Sequence, residues 1–222
     1  MKNKLLFYLG ELLIVIIGVS VAFWLSQIGA EKKEDQIRHK YFSELHGDIA
    51  YDLKNLEFYI RVNSEKIEEI MHVVSFYENV ELNKDSIIMN IFEIGQYSFF
   101  NPRDFTYQSI IASGDFKLID NPEIKKNLIR LYSEYRTIEK VQNNYLDALD
   151  NNFFPYLVEN FDYLSGTPTV PDLHKSLMIK NHFLYAINDV STHIHYYKKA
   201  QKIALNLDSL ITTELELFEL EK

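Results

Sequence analysis

The chain has no cysteine. Disulfides, thiolate nucleophiles, iron–sulfur clusters and zinc–thiolate sites are therefore excluded. Positive charge is in deficit, with 23 Lys and Arg against 32 Asp and Glu. Setting aside Lys2, Lys4 and Glu11 at the N-terminus leaves 21 against 31, a net charge of −10 for the remainder. That balance argues against nucleic acid as a partner, because phosphate binding needs basic clusters. No G-x-S-x-G, P-loop or Rossmann glycine pattern occurs, and neither does H-E-x-x-H. The paired Glu-x-x-His segments that a di-metal carboxylate bundle requires on two helices are missing too. None of the five prolines precedes Pro102, so nothing interrupts helical periodicity in the first hundred residues.

Apolar residues in one long run come first. Residues 5–28, LLFYLGELLIVIIGVSVAFWLSQI, would form a helix about 36 Å long, enough to cross a hydrocarbon core of about 30 Å. Tyr8 and Trp24 lie toward opposite ends, where amphipathic rings favour the interface. A cleavable signal peptide is the competing reading, with Ser26, Gly29 and Ala30 as a loose small-residue site, but the apolar run is long for one. The expectation is an uncleaved anchor over residues 1–30, followed by a helical domain over 31–222, so that the lipid bilayer is the first partner. Gly10, Gly18, Ala22, Ser26 and Ala30 fall on one i, i+4 row, broken by Ile14, and Glu11 borders it. Such a row lets two helix backbones approach closely. Gly10, Glu11, Gly18, Ala22 and Ser26 are the candidate helix-association face, and Glu11 either snorkels toward the headgroups or faces a partner helix. Orientation is nearly balanced: Lys32, Lys33, Arg38 and Lys40 after the helix oppose Lys2, Lys4 and the α-amino group before it.

The remaining stretch, about 190 residues, is an ordinary size for one domain, and everything in it reads as helix. After the charged collar EKKEDQIRHK, apolar residues recur at Phe42, Leu45, Ile49, Leu53, Leu56, Ile60, Ile67, Ile70 and Val74. With Asn63 included, this is a heptad seam with one four-residue stutter. It predicts one long helix from about Lys33 to Tyr77, with possible continuity into the anchor through Gly29. Asn63 reads as a satisfied polar residue at a bundle interface, or more sharply as a register-fixing contact between copies. Further helices are predicted from Ser86 to Tyr97, capped by Asn83 or Asp85, and from Arg103 to Ser113, with Pro102 at its first position and Gly114 as C-cap. Asp120-Asn121-Pro122-Glu123 starts a fourth helix that runs to about Asn152 before Pro155 closes or kinks it. After the loop SGTPTVP, Asp172 is expected to cap a last helical region reaching Phe218, with a possible break near Lys180-Asn181 and a frayed acidic tail. No strand is expected. The fold class is all-α: a single N-terminal transmembrane helix and a helical bundle with long, coiled-coil-like helices.

Candidate chemistry is sparse. Glu68/His72 and Asp189/His193 have the i, i+4 spacing that can hold two metal ligands, but such pairs are common in helical chains. Glu44, Asp48 and Asp52 form an acidic stripe that reads as a solvated helix face. Arg103 and Asp104 can orient a ligand, though a surface ion pair is the preferred reading. The 15 Tyr and 15 Phe residues read mostly as core. Hence no catalytic residue, metal or cofactor is assigned.

Two segments carry a resemblance. Residues 8–28, with Gly10-Glu11 leading into an Ile/Val/Gly run and then Ser26-Gln27, and residues 106–132, TYQSIIASGDFKLIDNPEIKKNLIRLY, resemble an uncharacterised family of small bacterial proteins with one N-terminal membrane helix and a helical soluble domain. The resemblance implies no activity. It implies an inner-membrane anchor with its N-terminus inside and the soluble domain in the periplasm, although this chain lacks the longer basic tail typical of the family. The leading expectation is a non-enzymatic scaffold or partner-binding module that forms homo-oligomers or joins another membrane protein. The alternatives are a small-molecule sensor that needs a separate output partner and an oligomeric membrane-perturbing effector.

Overall fold

A computed structural model of the chain describes residues 2–77 and 84–220, and side chains within them other than those of residues 2–10, 84 and 86. The protein is all-α, as expected. Helix α1 (Lys2–Ser75) is followed by α2 (Lys84–Gly95), α3 (Phe105–Ser113), α4 (Pro122–Ala148), α5 (Phe154–Asn160) and α6 (Leu177–Leu220). The apolar segment and the first bundle helix are one element: α1 is continuous across Gly29 for 74 residues, about 110 Å at 1.5 Å per residue. Leu12 to Ile28 stand exposed along it, and this helix is long and apolar enough to cross a membrane. Burial begins at Phe42.

From there α1, α4 and α6 make the bundle. Helix α6 runs antiparallel to α1: His46 Nδ1 meets Asp208 Oδ1 at 2.8 Å near the base, and the Tyr77 hydroxyl donates to the His174 carbonyl at 2.7 Å near the tip. Helix α4 runs parallel to α1. Two apolar clusters fill the interior. The lower joins Leu45, Ile49 and Leu56 to Leu128, Leu131, Ala204 and Leu207. The upper joins Ile70 and Val73 to Ile87, Ile91, Leu149, Phe183 and Ala186. Truncating a fully buried leucine such as Leu128 or Leu131 to alanine costs about 2–5 kcal/mol in such a core.

The inner series of α1 differs from the hydrophobic reading. Phe42, Leu45, Ile49, Asp52, Leu56, Asn63, Ile70 and Val73 are buried, and half-buried Tyr59 and Lys66 complete a strict three–four alternation with no stutter. Leu53, Ile60, Ile67 and Val74 flank that series, half-buried. The stutter arises because Leu53, Ile60 and Ile67, the apolar neighbours of Asp52, Tyr59 and Lys66, look like the seam. Asn63 is satisfied locally, its Nδ2 donating to the Tyr59 carbonyl at 2.8 Å.

The helix ends obey local chemistry in part. Asn121 caps α4 by accepting from the Glu123 and Ile124 amides, with Pro122 at the first position. Gly114 closes α3 at φ 75°, the left-handed conformation expected of it. Helix α3 starts at Phe105 rather than Arg103, and Pro102 lies in irregular chain before it, where the Arg103 amide bonds to Asp52 instead of opening the helix. The fourth helix does not stop at Asn152. A π-helical turn, Leu149–Phe153, carries it into α5, and the wider turn admits Pro155 in that helix's first turn. The loop SGTPTVP closes a two-residue antiparallel ladder, β1 (Phe161–Asp162) with β2 (Thr167–Pro168), where no strand is expected from sequence. Asp172 makes no capping bond. Ser176 accepts from the Ile179 amide instead, and α6 then runs unbroken past Lys180-Asn181 and stays helical through the acidic tail to Leu220. The expected cap Asn83 lies outside the described residues.

Two glycines test this assignment in opposite directions. A Cβ at Gly47, exposed inside α1, meets nothing within 4 Å, so Gly47→Ala is expected to stabilise by about 0.5–1 kcal/mol. Gly114→Ala forces an alanine into φ 75° and is expected to destabilise by about 1–2 kcal/mol. Thermal unfolding of the detergent-solubilised chain, followed by circular dichroism, checks both signs.

Candidate functional site: a polar seam inside the bundle

The expected association face lies wholly on the unbundled part of α1. Glu11, Gly18, Ala22 and Ser26 are exposed, and a Cβ at Gly18 would meet nothing within 4 Å. Gly10 belongs to the same helix, with its surroundings outside the described side chains. Helical spacing puts Gly18, Ala22 and Ser26 on one face.

Inside the bundle the chemistry gathers where the segment 96–104 crosses α1 and α4. Gln142 of α4 holds Phe100 by both backbone groups: its Oε1 accepts from the Phe100 amide and its Nε2 donates to the Phe100 carbonyl, each at 3.1 Å. The Tyr197 hydroxyl of α6 donates to the same Oε1 at 2.7 Å. One buried amide thus ties a connecting segment, α4 and α6 together.

Three residues on, the Arg103 amide donates to Asp52 Oδ1 at 2.9 Å, and Thr106 donates to Asp48 Oδ2 at 2.6 Å. The acidic stripe is therefore not a solvated face. Glu44 is exposed, but Asp52 is only 1 % exposed and sits in the inner seam, where α1 turns that register position toward Tyr135 and Tyr132 of α4. Arg103 does not pair with Asp104. Its guanidinium lies 3.5 Å from the Tyr51 ring centroid, a stacked cation–π contact.

Asp52 is the most perturbed carboxyl of this cluster. Burial pushes its pKa up to about 7; the Arg103 amide bond, the Tyr135 hydroxyl and the Arg103 charge pull it down, and Asp48 pushes it up further. The Tyr135 hydroxyl faces this carboxyl as a hydrogen-bond donor. Beside them Tyr107 and Tyr132 stack at 3.9 Å with their planes 7° apart. A cleft of about 230 Å³ opens over Tyr132 and Tyr135, walled by Asn101, Pro102 and Asp104.

A second polar group lies higher. His193 is buried, bonded to the Val141 backbone, and its Nε2 stands 3.5 Å from Asp189 Oδ2. Burial lowers the imidazole to about 4 and raises Asp189 to about 6. Lys66, also on the inner series, donates to the Gln96 carbonyl, and burial lowers its pKa to about 8. Asp189 and His193 do meet, as their spacing suggests. Among the described residues no group of three or more His, Asp or Glu is placed to hold a metal ion.

These polar groups lie on different helices and share no sequence motif. Their only local signal is the three–four register of α1, which Asp52 and Lys66 satisfy and their apolar neighbours do not. Comparisons with models of protein families, with curated proteins and with solved structures find no match to this chain.

Asp52 sets a pH dependence of stability. Between pH ~4 and ~7 the native carboxyl keeps a proton that the unfolded chain has released, so stability falls as pH rises through that window and levels off above it. Asn at this position can still accept from the Arg103 amide and can donate to the Tyr135 hydroxyl. In denaturant titrations at a series of pH values, Asp52→Asn is expected to gain on the wild type progressively from pH 4 to 7. A constant difference across that range would show that Asp52 titrates normally.

Proposed function

We propose that the chain is a non-enzymatic, single-pass protein of the bacterial inner membrane. Its helical bundle serves as a scaffold or partner-binding module, and its anchor mediates self-association or pairing with another membrane protein. The observation that supports this reading is α1: one unbroken helix supplies both the exposed apolar segment and the inner seam of the bundle. Orientation of one segment is thereby imposed on the other. Some 45 residues of α1 beyond Gly29 would hold the bundle tip about 70 Å from the end of the apolar segment. The small-residue row Gly10, Gly18, Ala22 and Ser26, bordered by Glu11, supports close helix pairing in a bilayer. Kinship with the small bacterial proteins that residues 8–28 and 106–132 resemble belongs to this proposal, as does a periplasmic bundle.

A second reading, a sensor that works through a separate output partner, is favoured by one observation: Tyr132 and Tyr135 line the cleft and face Asp52, a residue of α1 itself.

Because cysteine is absent, single cysteines report without background. Ala22→Cys is expected to crosslink into dimers in native membranes. Ser20→Cys, at similar depth on the opposite face, is expected to remain monomeric. Equal behaviour of the two variants would remove the association face. Leu164→Cys, at the fully exposed hairpin turn, is expected to react with an impermeant maleimide in intact spheroplasts. Labelling only after lysis would put the bundle in the cytoplasm.

A further inference from the structure

Asp189 and His193 sit one turn apart on α6, where that helix packs against α4 just above the waist. The His193 side chain is 2 % exposed and enclosed by rings: Phe99 at 5.6 Å and Tyr145 at 5.8 Å meet it edge on, and Tyr197 stacks on it at 6.1 Å. One ring nitrogen donates to the Val141 backbone of α4, and Nε2 has no hydrogen-bond partner, so the bonded nitrogen is Nδ1. That bond fixes the tautomer, with the proton on Nδ1 and a lone pair on Nε2. The lone pair faces Asp189 Oδ2, which has no hydrogen-bond partner either, across 3.5 Å. A formed bond would measure about 2.7–3.2 Å. Two acceptors thus oppose each other in a buried place, and a single proton between them satisfies both. Asp189, 13 % exposed, gives that proton a way in from solvent.

The charges around the pair decide where the proton sits. Lys66 faces His193 from α1 and disfavours an imidazolium, as burial does. Glu69 and Glu93 face Lys66 in turn and keep it charged. Tyr145 on α4 and Tyr185 and Tyr197 on α6 feel the Asp189 charge, and burial holds all three as neutral phenols. The carboxyl is therefore the group that takes the proton.

We propose that Asp189 and His193 form a one-proton switch between α6 and α4: a proton on Asp189 Oδ2 is donated to His193 Nε2 and locks the pair, and its loss frees Asp189 to turn toward solvent. Burial raises Asp189 to about 6 and lowers His193 to about 4, so the pair locks as pH falls through about 6 while the imidazole stays neutral. The unfolded chain takes up its corresponding proton on the histidine instead, near pH ~6.5. The raised carboxyl favours the fold in acid and the lowered imidazole disfavours it, so the two largely offset. The switch turns over within the native state rather than by unfolding it. Its neighbours carry the change onward: Tyr197 follows His193 by one turn and donates to Gln142, the residue after Val141, which grips Phe100. This inference goes beyond the sensor reading and needs neither the cleft over Tyr132 and Tyr135 nor anchor pairing, so its failure leaves both standing.

The test is a pH titration of the full chain in detergent micelles by 15N NMR, with label in the histidine rings. The His193 signals are those lost in His193→Gln. His193 is expected to remain neutral, with its proton on Nδ1, from pH 8 to pH 5, while its Nε2 signal moves with a midpoint of about 6 as the bond forms. Asp189→Asn, whose amide donates at every pH, is expected to hold the bonded position without titrating. Asp189→Ala is expected to hold the unbonded position without titrating. In denaturant titrations Asp189→Asn is expected to lose about tenfold in folding equilibrium constant relative to the wild type between pH 7 and pH 5, because the wild-type carboxyl takes up a native proton there and asparagine does not. The proposal is overturned if His193 becomes an imidazolium with an ordinary midpoint, if its Nε2 signal does not move, if Asp189→Asn still titrates, or if the stability difference is constant with pH. Should a variant fail to fold, the wild-type titration decides alone.

Discussion

The antiparallel packing of α6 along the inner face of α1 is the contact from which every other position in the bundle follows. It brackets the bundle between Arg38, stacked over Phe218 at the base, and Tyr77, bonded to the His174 carbonyl near the tip. Helix α4 packs along α6, and the short helices α2 and α3 lie against α1. Among the polar groups buried in the interior, Gln142, Tyr197 and the Phe100 backbone form a hydrogen-bonded waist between the upper and lower clusters. Such a fully paired waist adds little net stability over an apolar layer, but each of its groups costs more if a partner is removed. It therefore acts mainly on register, holding the crossing segment against one particular turn of α4.

Asp52 and Lys66 extend the same logic to charge. Both occupy inner positions of α1 where leucine or isoleucine would pack without a desolvation penalty, and burial moves both pKa values toward neutrality. A helix built only to hold a bundle together gains nothing from them. Their presence along the element that also carries the apolar segment is what makes a ligand- or proton-responsive role worth setting beside a purely structural one.

Much of the architecture is legible in the sequence, and the reason is local. Asn121-Pro122-Glu123 and Gly114 mark helix ends because capping is a matter of a few consecutive residues, and the apolar run of 5–28 declares itself by length alone. What escapes is nonlocal. Hydrophobicity selects Leu53 and Ile67 over Asp52 and Lys66, since it cannot see that the crossing segment supplies an amide to one and a carbonyl to the other. The irregular backbone around Asn101-Pro102 likewise follows Gln142, whose grip on Phe100 spans 42 positions in the chain. The Phe161–Pro168 ladder depends on Phe92 of α2, whose ring meets Phe161 at 4.9 Å and Tyr163 at 5.9 Å. The site is hard to read for the same reason: its acids, phenols and amide come from α1, the crossing segment and α4, and no spacing rule links them.

The antiparallel pair of long helices also has a mechanical meaning. Both the start of the bundle on α1 and the end of α6 lie at the base, whereas the hairpin at Leu164 sits beyond the last turn of the waist. A pull between the base and a partner held at the tip loads α1 and α6 in shear, so that many side-chain contacts must fail together. A pull on the α6 C-terminus against the α1 base instead peels the two helices apart one turn at a time, beginning at Phe218. The same fold is stiff toward a tethered partner and yielding toward traction on its own end.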